Sequence, residues 1–226
     1  MSKKFNLVLI FIMVSVNSFC DNLFSHKWAS YTTYFQTEVE RAKNIQMAVE
    51  KLDGFILHPK SEFSYNETVT WQIPRDQLRY APAIVNGKLL PASGGGLCQV
   101  SSTLYATVLS AGLHITERQN HSSPVGYISM GLDATVSSTE GIDLKFTNNT
   151  DFPFIIKAEI KKNTLTITLA SSVPLNRKIS LSTNIIETNS TQIKTITTRK
   201  TDFKNGVTET EIISHSTYLR VKPQQP

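Results

Sequence analysis

The chain has 226 residues, 40% of them hydrophobic, and a formal charge of +5. That length supports one generous core with or without a small appendage. Charges of both signs are mixed along it, with no long basic block and no stacking pattern of aromatics, which argues against a nucleic-acid partner.

At the amino terminus, Lys3 and Lys4 precede an apolar run from Phe5 to Val16, followed by small residues and Cys20. This is the layout of an export signal, and about a dozen apolar residues is too short for a typical membrane span. The expected signal covers residues 1–20, with cleavage near Ser18 to Cys20. Phe19 stands where a lipoprotein signal wants a small residue, so lipidation of Cys20 is the lesser alternative. The mature protein is then exported to a periplasm or cell envelope, and losing the two signal lysines takes its charge from +5 to +3. Cys98 is left without a cysteine partner, either as a reactive thiol or as a buried inert one.

The spacing of Val39, Ala42, Ile45, Ala48, Val49 and Leu52 predicts a helix over Thr37 to Leu52, with Gly54 as its stop. The following stretch, to about Ser93, is rich in prolines and turn residues and reads as loops with short strands, including a hairpin at Asn86-Gly87. Next comes "SGGGLCQVSSTLYATVLSAGL", where Val100, Leu104, Val108 and Ala111 form one helical face and Gly112 with Leu113 resembles a glycine cap. The period then shortens. "LHITER", "VGYISM", "DATVSS" and "IDLKFTN" read as short strands, and "PFIIKAEIKKNTLTITLAS" as a hairpin about Lys162 and Asn163. Beyond Ser172 a Thr-, Ser- and Lys-rich region alternates polar and β-branched residues around Asn205-Gly206. Two or three strands are expected there, extending the main sheet or forming an appended unit.

Cys98 falls in the first turn of its predicted helix, where unpaired N–H groups and the helix dipole favour the thiolate. Gly94, Gly95 and Gly96 permit positive φ and a close approach of substrate, and their N–H groups can converge on an oxyanion. A thiol nucleophile needs a base, and His121 in "RQNHSSP" is the best placed of the histidines. Asp133 in "MGLDATV" follows in the position of an orienting carboxylate. Gln99 is a candidate further donor, and Ser102, one turn after Cys98, a candidate ligand contact. His26, His58, His114 and His215 fall near the processed end, in a loop, on an outward strand position and in the tail. Each site residue also has a plain structural reading, Cys98 as a small core residue, His121 as a turn histidine and Asp133 as a cap. No metal site and no cofactor are expected. Paired ligand spacings, a Walker loop and a dinucleotide fingerprint are all absent.

The segments "FSYNETV", "APAIVNGKLLPASGGGLCQVSSTLYATVLSAGLHITERQNHSSPVGYISMGLDATV" and "DLKFTNNTDFPFII" resemble the VanW family from about Ala42 to Ile156. The stretch "TWQIPRDQLRYAP", with Arg79 before the tyrosine, departs from the family's glycine-rich pattern. The resemblance implies a bacterial, envelope-associated protein connected with peptidoglycan or glycopeptide response, and supplies no reaction. The chain order of Cys, helix, strand, His, strand, Asp is similar to transglutaminase-like and NlpC-type peptidases. The expected fold is therefore α+β. A papain-like or transglutaminase-like core over residues 21–171 sets a Cys-bearing helix on an antiparallel β-sheet, and 172–226 form a β-rich extension. The first functional expectation is a thiol amidase, peptidase or transferase acting on a peptidoglycan-type peptide through Cys98, His121 and Asp133. The alternative is a non-catalytic envelope-binding or assembly module in which Cys98 is packing.

Overall fold

The structure, a computed structural model, describes residues 23–220 except Thr37 and Asn86. The expected signal, Cys20 and half of the Asn-Gly turn thus lie outside the described residues. In chain order the elements are β1 (His26–Tyr34), α1 (Val39–Leu52), β2 (Phe55–Leu57), β3 (Glu62–Ser64), α2 (Tyr65–Thr68), β4 (Tyr80–Val85), β5 (Lys88–Ser93) and α3 (Leu97–Ser110). They continue with β6 (His114–Glu117), β7 (Lys145–Thr147), β8 (Phe154–Lys161), β9 (Thr164–Ser171), β10 (Arg177–Thr188), β11 (Gln192–Phe203) and β12 (Thr208–Leu219). Strand residues outnumber helical ones, and no helix among the described residues is long and apolar enough to cross a membrane.

Period-two alternation builds the main sheet, antiparallel in the order β1-β9-β8-β2. Phe154, Ile156 and Ala158 of β8 and Leu165, Ile167 and Leu169 of β9 all point to one buried face. The β8–β9 turn falls at the expected place, with Lys162 in the left-handed region at φ 57°. The strand β1 escapes a hydropathy reading because its outward positions are Lys, Ser, Thr and Tyr. Trp28 is its anchor, packing against Phe154 at 5.7 Å between ring centroids and donating its indole N–H to the Val173 carbonyl.

Both predicted helices form. The first starts at Val39 and buries Asn44, Ile45, Ala48, Val49 and Leu52, and Gly54 follows at φ 82°. The second, α3, corrects the sequence reading, which gave it a single apolar face. It lies against β1 and β9 on one side and meets α1 and β10 on others, so residues Gln99 to Leu109 are all buried. Its polar residues survive there because their hydroxyls bond back one turn: Thr103 donates to the Gln99 carbonyl and Thr107 to that of Thr103, each at 2.7 Å. Gly112, at φ 73°, closes the helix as expected, and the Leu113 N–H returns to the Val108 carbonyl at 3.2 Å.

Two of the expected strands are not strands. "VGYISM" runs through turns, and "DATVSS" makes only the isolated bridges Gln119–Thr135 and Ser137–Ile142. Gly131, at φ 88°, and its neighbours turn the chain instead, with the Leu132 N–H closing on the Ser129 carbonyl. A small sheet of order β3-β7-β6 and the β4–β5 hairpin complete the first part. The last three long strands form a separate antiparallel sheet, β10-β11-β12, and do not extend the main one. Alternate residues of β11, Thr195, Thr197, Arg199 and Thr201, are buried. Arg199 reaches the Leu113 carbonyl at 2.8 Å and Thr197 the Gly131 carbonyl at 3.1 Å.

Candidate active site

Three consecutive glycines set the entry to α3. Gly94 and Gly96 hold φ of 80° and 115°, where L side chains are strained. Gly95 is fixed by contact, since a Cβ there would overlap the Ala81 carbonyl, 2.7 Å from its carbon. Asn44, fully buried on α1, clips this turn: its amide donates to the carbonyls of Arg79 and Gly95, and its Oδ1 accepts from the Arg79 N–H, all at 2.9 Å. The result presents Cys98, half-buried, as the second residue of α3.

Most of the donors expected to line an oxyanion pocket are otherwise engaged. The N–H groups of Gly94 and Gly95 bond to Arg79 and Ala92, and those of Leu97, Gln99 and Val100 bond back into the glycine turn. Among the described residues, the N–H groups of Gly96 and Cys98 carry no such bond. The Gln99 amide donates to the Thr33 hydroxyl and Tyr34 carbonyl at 3.1 and 3.0 Å, which commits it to β1. Ser102 is fully buried and bonds the Cys98 carbonyl at 2.6 Å, while the Ala134 N–H donates to it at 3.0 Å. It cross-links α3 to the Asp133 segment and lies away from the cleft.

That cross-link, with Ser101 donating to the Ala134 carbonyl at 2.7 Å, places Asp133 behind His121. One carboxylate oxygen of Asp133 accepts both the backbone N–H and the ring Nδ1 of His121 at 2.7 Å. The other accepts Arg118 Nη2 at 3.1 Å and the Tyr218 hydroxyl. With Nδ1 turned to Asp133, the far side of the ring is left for Cys98, whose thiol donates to the Val136 carbonyl at 3.5 Å and lies near enough to His121 to be shifted by it. The structure thus brings Cys98, His121 and Asp133 together at one place. The other four histidines are exposed.

Burial opposes every charge there, and the partners outweigh it. Burial pushes the Cys98 thiol up, but the neighbouring His121, the bond to the Val136 carbonyl and the charge of Arg41 hold it below its ordinary value. Burial pulls His121 down, yet its hydrogen bond to Asp133 and the neighbouring Cys98 raise it to about 9. Asp133, despite burial, is lowered by His121, Arg118 and Tyr218. Both shifts favour the charged pair, a thiolate facing an imidazolium, more than the free groups would.

Sequence reading missed three residues here. Tyr218, on β12, is fully buried and bridges the Gly131 N–H, at 2.6 Å, to Asp133. Arg118 grips the Asp133 carbonyl through Nε at 2.7 Å and its carboxylate through Nη2. Tyr127 sets its ring edge to His121 at 6.4 Å between centroids. Only the buried alternation of Ser216 and Tyr218 hinted at the first of these. An open cleft of about 1280 Å³ runs past Cys98 and His121, with Trp71 and Leu89 exposed on its walls.

The family model for VanW-like proteins matches residues 40–170, which ends just before β10. The uncharacterized protein YoaR of Bacillus subtilis (strain 168) is 38% identical over 150 residues, covering 66% of this chain and 49% of its own. The vancomycin B-type resistance protein VanW of Enterococcus faecalis (strain ATCC 700802 / V583) is 35% identical over 124 residues, covering 50% of this chain and 42% of its own. The chain therefore spans about half the length of YoaR and less of VanW, and no solved structure matches it. With the family model covering more than half of the sequence, including Cys98, His121 and Asp133, the chain belongs to the VanW family.

Proposed function

We propose that this VanW-family protein is an exported cell-envelope enzyme that cleaves or transfers an amide of a peptidoglycan-type peptide through Cys98. The observation that carries the reading is Cys98 beside His121, itself hydrogen-bonded to Asp133, at the wall of an open cleft. Such a group has a direct use in acyl transfer. The Cys98 thiolate attacks the amide carbonyl, and the tetrahedral oxyanion sits at the amino end of α3 with the Cys98 N–H as its donor. The His121 imidazolium gives its proton to the leaving amine as the carbon–nitrogen bond breaks, leaving a thioester on Cys98. Water or a second amine then attacks the thioester, passes a proton to His121, and frees the thiol. Asp133 holds the ring in the tautomer that serves both steps. Cys98 on the first turn of a helix, with His121 and Asp133 on neighbouring loops, supports the same reading.

The envelope assignment draws on the apolar leader and on the name of the relative VanW, a vancomycin B-type resistance protein. The test is to incubate the mature protein with stem peptides released from cell walls and follow them by mass spectrometry. Cleavage or amine exchange, with a thioester adduct trapped on Cys98 and both lost in a folded Cys98→Ala variant, is expected. A Cys98 thiol that alkylates only after unfolding would refute the reading.

A further inference from the structure

We infer that Arg41, beside Cys98 in the cleft, is a carboxylate-binding site, so that the peptide taken carries a free carboxylate close to its reacting amide. The substrate half of this inference rests on the thiol-enzyme reading, whereas the anion site itself does not.

Arg41 occupies the first turn of α1, half-buried, and lines the cleft together with Cys98 and His121. Its guanidinium is pinned from two directions. Nη1 donates to the Pro82 carbonyl at 2.8 Å, and Nη2 to the side-chain oxygen of Gln99 at 3.0 Å. Gln99 is itself fastened to Thr33 and Tyr34, so the brace is rigid. A third side is covered by the Tyr127 ring, with the guanidinium carbon 5.9 Å from its centroid. None of these partners is charged. Among the described residues Arg41 forms no ion pair, whereas the partly buried Arg118 and Arg199 are each matched by a carboxylate, Asp133 and Glu211. The acid next to it, Glu40, faces Lys43 and Arg79 instead.

A guanidinium has five N–H donors, and these two bonds leave the rest of the fork open. Taking a cation part-way out of water without a counter-ion is costly, and a fork already fixed in place matches a planar carboxylate in bidentate fashion. The other charges on the cleft, Glu38, Arg75 and Glu140, are exposed at its rim and balance to one excess negative charge. Beside the Cys98–His121 pair, Arg41 and the amino end of α3 add positive character to this end of the cleft. That is the arrangement a negatively charged peptide end would seek.

Two probes test this without knowing the natural substrate. Iodoacetate and iodoacetamide alkylate the same thiolate by displacing iodide, so the ratio of their rates cancels the thiolate fraction and reports attraction for the carboxylate alone. The ratio is expected to exceed that of the unfolded chain and to fall about tenfold, the worth of one good charge-assisted pair, in Arg41→Gln, with Arg41→Lys between. An equal ratio in wild type and Arg41→Gln would make Arg41 only a brace for Pro82 and Gln99, and overturn the inference. The second probe needs no reactive thiol. Titration of N-acetyl-alanine, followed by the amide NMR signals of Gly96 and Cys98, is expected to shift them in wild type and not in Arg41→Gln, and its methylamide is expected to shift neither. If the acid binds while the thiol is inert, the anion site stands and the enzyme reading falls. If neither compound shifts the wild-type signals, the anion site falls whatever the thiol does.

Discussion

Asp133→Asn separates the electrostatics of the site from its shape. Asparagine keeps the volume and one acceptor but removes the charge that His121 faces on Nδ1. Against burial, the hydrogen bond to Asp133 is the largest contribution lifting His121 from 6.5 to about 9, a span worth about 3 kcal/mol. Losing the charge is expected to lower the His121 pKa, and the Cys98 thiol, which is held down by that imidazolium, rises in turn. The assay is the rate of iodoacetamide alkylation across pH. In wild type the midpoint falls below the free-thiol value of ~8.5. In Asp133→Asn it climbs toward that value, and alkylation on the acid side slows roughly tenfold for every full pH step that the midpoint climbs. Stability also falls, by about 1–3 kcal/mol, because Arg118 and Tyr218 now face a neutral group, so rates are compared only where circular dichroism shows the variant folded. A folded variant with an unmoved midpoint would refute the argument that Asp133 sets the charge state of the pair.

Tyr218→Phe removes a hydroxyl that joins Asp133 to the Gly131 N–H in a fully buried place. The loss of a hydrogen bond to a charge and the orphaned amide predict a cost of about 2–4 kcal/mol in urea unfolding; a cost below ~0.5 kcal/mol would mean that β12 is only loosely docked. Gly95→Ala forces a Cβ into the Ala81 carbonyl, so the helix entry must shift; a loss of about 2–4 kcal/mol is expected, with slowed Cys98 alkylation, and wild-type stability and rate would contradict the packing argument. The pH dependence of stability is read best in a Cys98→Ala background, where the thiol's opposing contribution is absent. There the Asp133 partner still favours charged His121, and the stability this adds is present below about 6.5 and lost as pH rises through a folded value that lies below the about 9 of wild type, because the share from Cys98 is gone; the lowered Asp133 adds stability present above 3.8 and lost as pH falls through its folded value. Adding His121→Ala should remove the alkaline decline, and its persistence would place the titration elsewhere.

What was legible in the sequence was local. Three glycines before Cys98 announce a tight entry to a helix, and Val100, Leu104 and Val108 announce the helix itself, because both signals fall within a few turns of chain. His121 and Asp133 could be named from chain order, since the segment between them is short. The Asp133 register, however, is set by Ser101 and Ser102 bonding to Ala134, which hydropathy does not see. The same blindness made α3 look amphipathic, since a serine or threonine that satisfies itself on the preceding carbonyl is as easily buried as an alanine. "VGYISM" misled in the opposite direction. Its alternation is real, but the chain turns there, with Gly131 just beyond at positive φ, so that Ile128 enters the core while Tyr127 lies against His121 and Arg41.

The residues that tune the site lie furthest from it in sequence. Tyr218 meets Asp133 across 85 positions, and Arg41 reaches Gln99 across 58. Nothing local marks either: one is an inward position on a tail strand, the other an arginine on a helix that has a neighbouring acid to pair with and does not use it. Tyr218 also lies outside the matched family segment, which stops at residue 170. The final sheet acts on the site at several points: the Tyr218 hydroxyl on the back of Asp133, Ser216 accepting from Arg118 at 2.7 Å, and Thr217 and Leu219 bonded to Asn120 and Ser122 on either side of His121. A change in β12 that leaves Asp133 and His121 unmoved should leave Cys98 chemistry unmoved too. Exposed His215, three positions before Tyr218, is the natural control: His215→Ala should match wild type in both unfolding and alkylation, and a shift in its alkylation midpoint would mean that the sheet reaches Cys98 by another route.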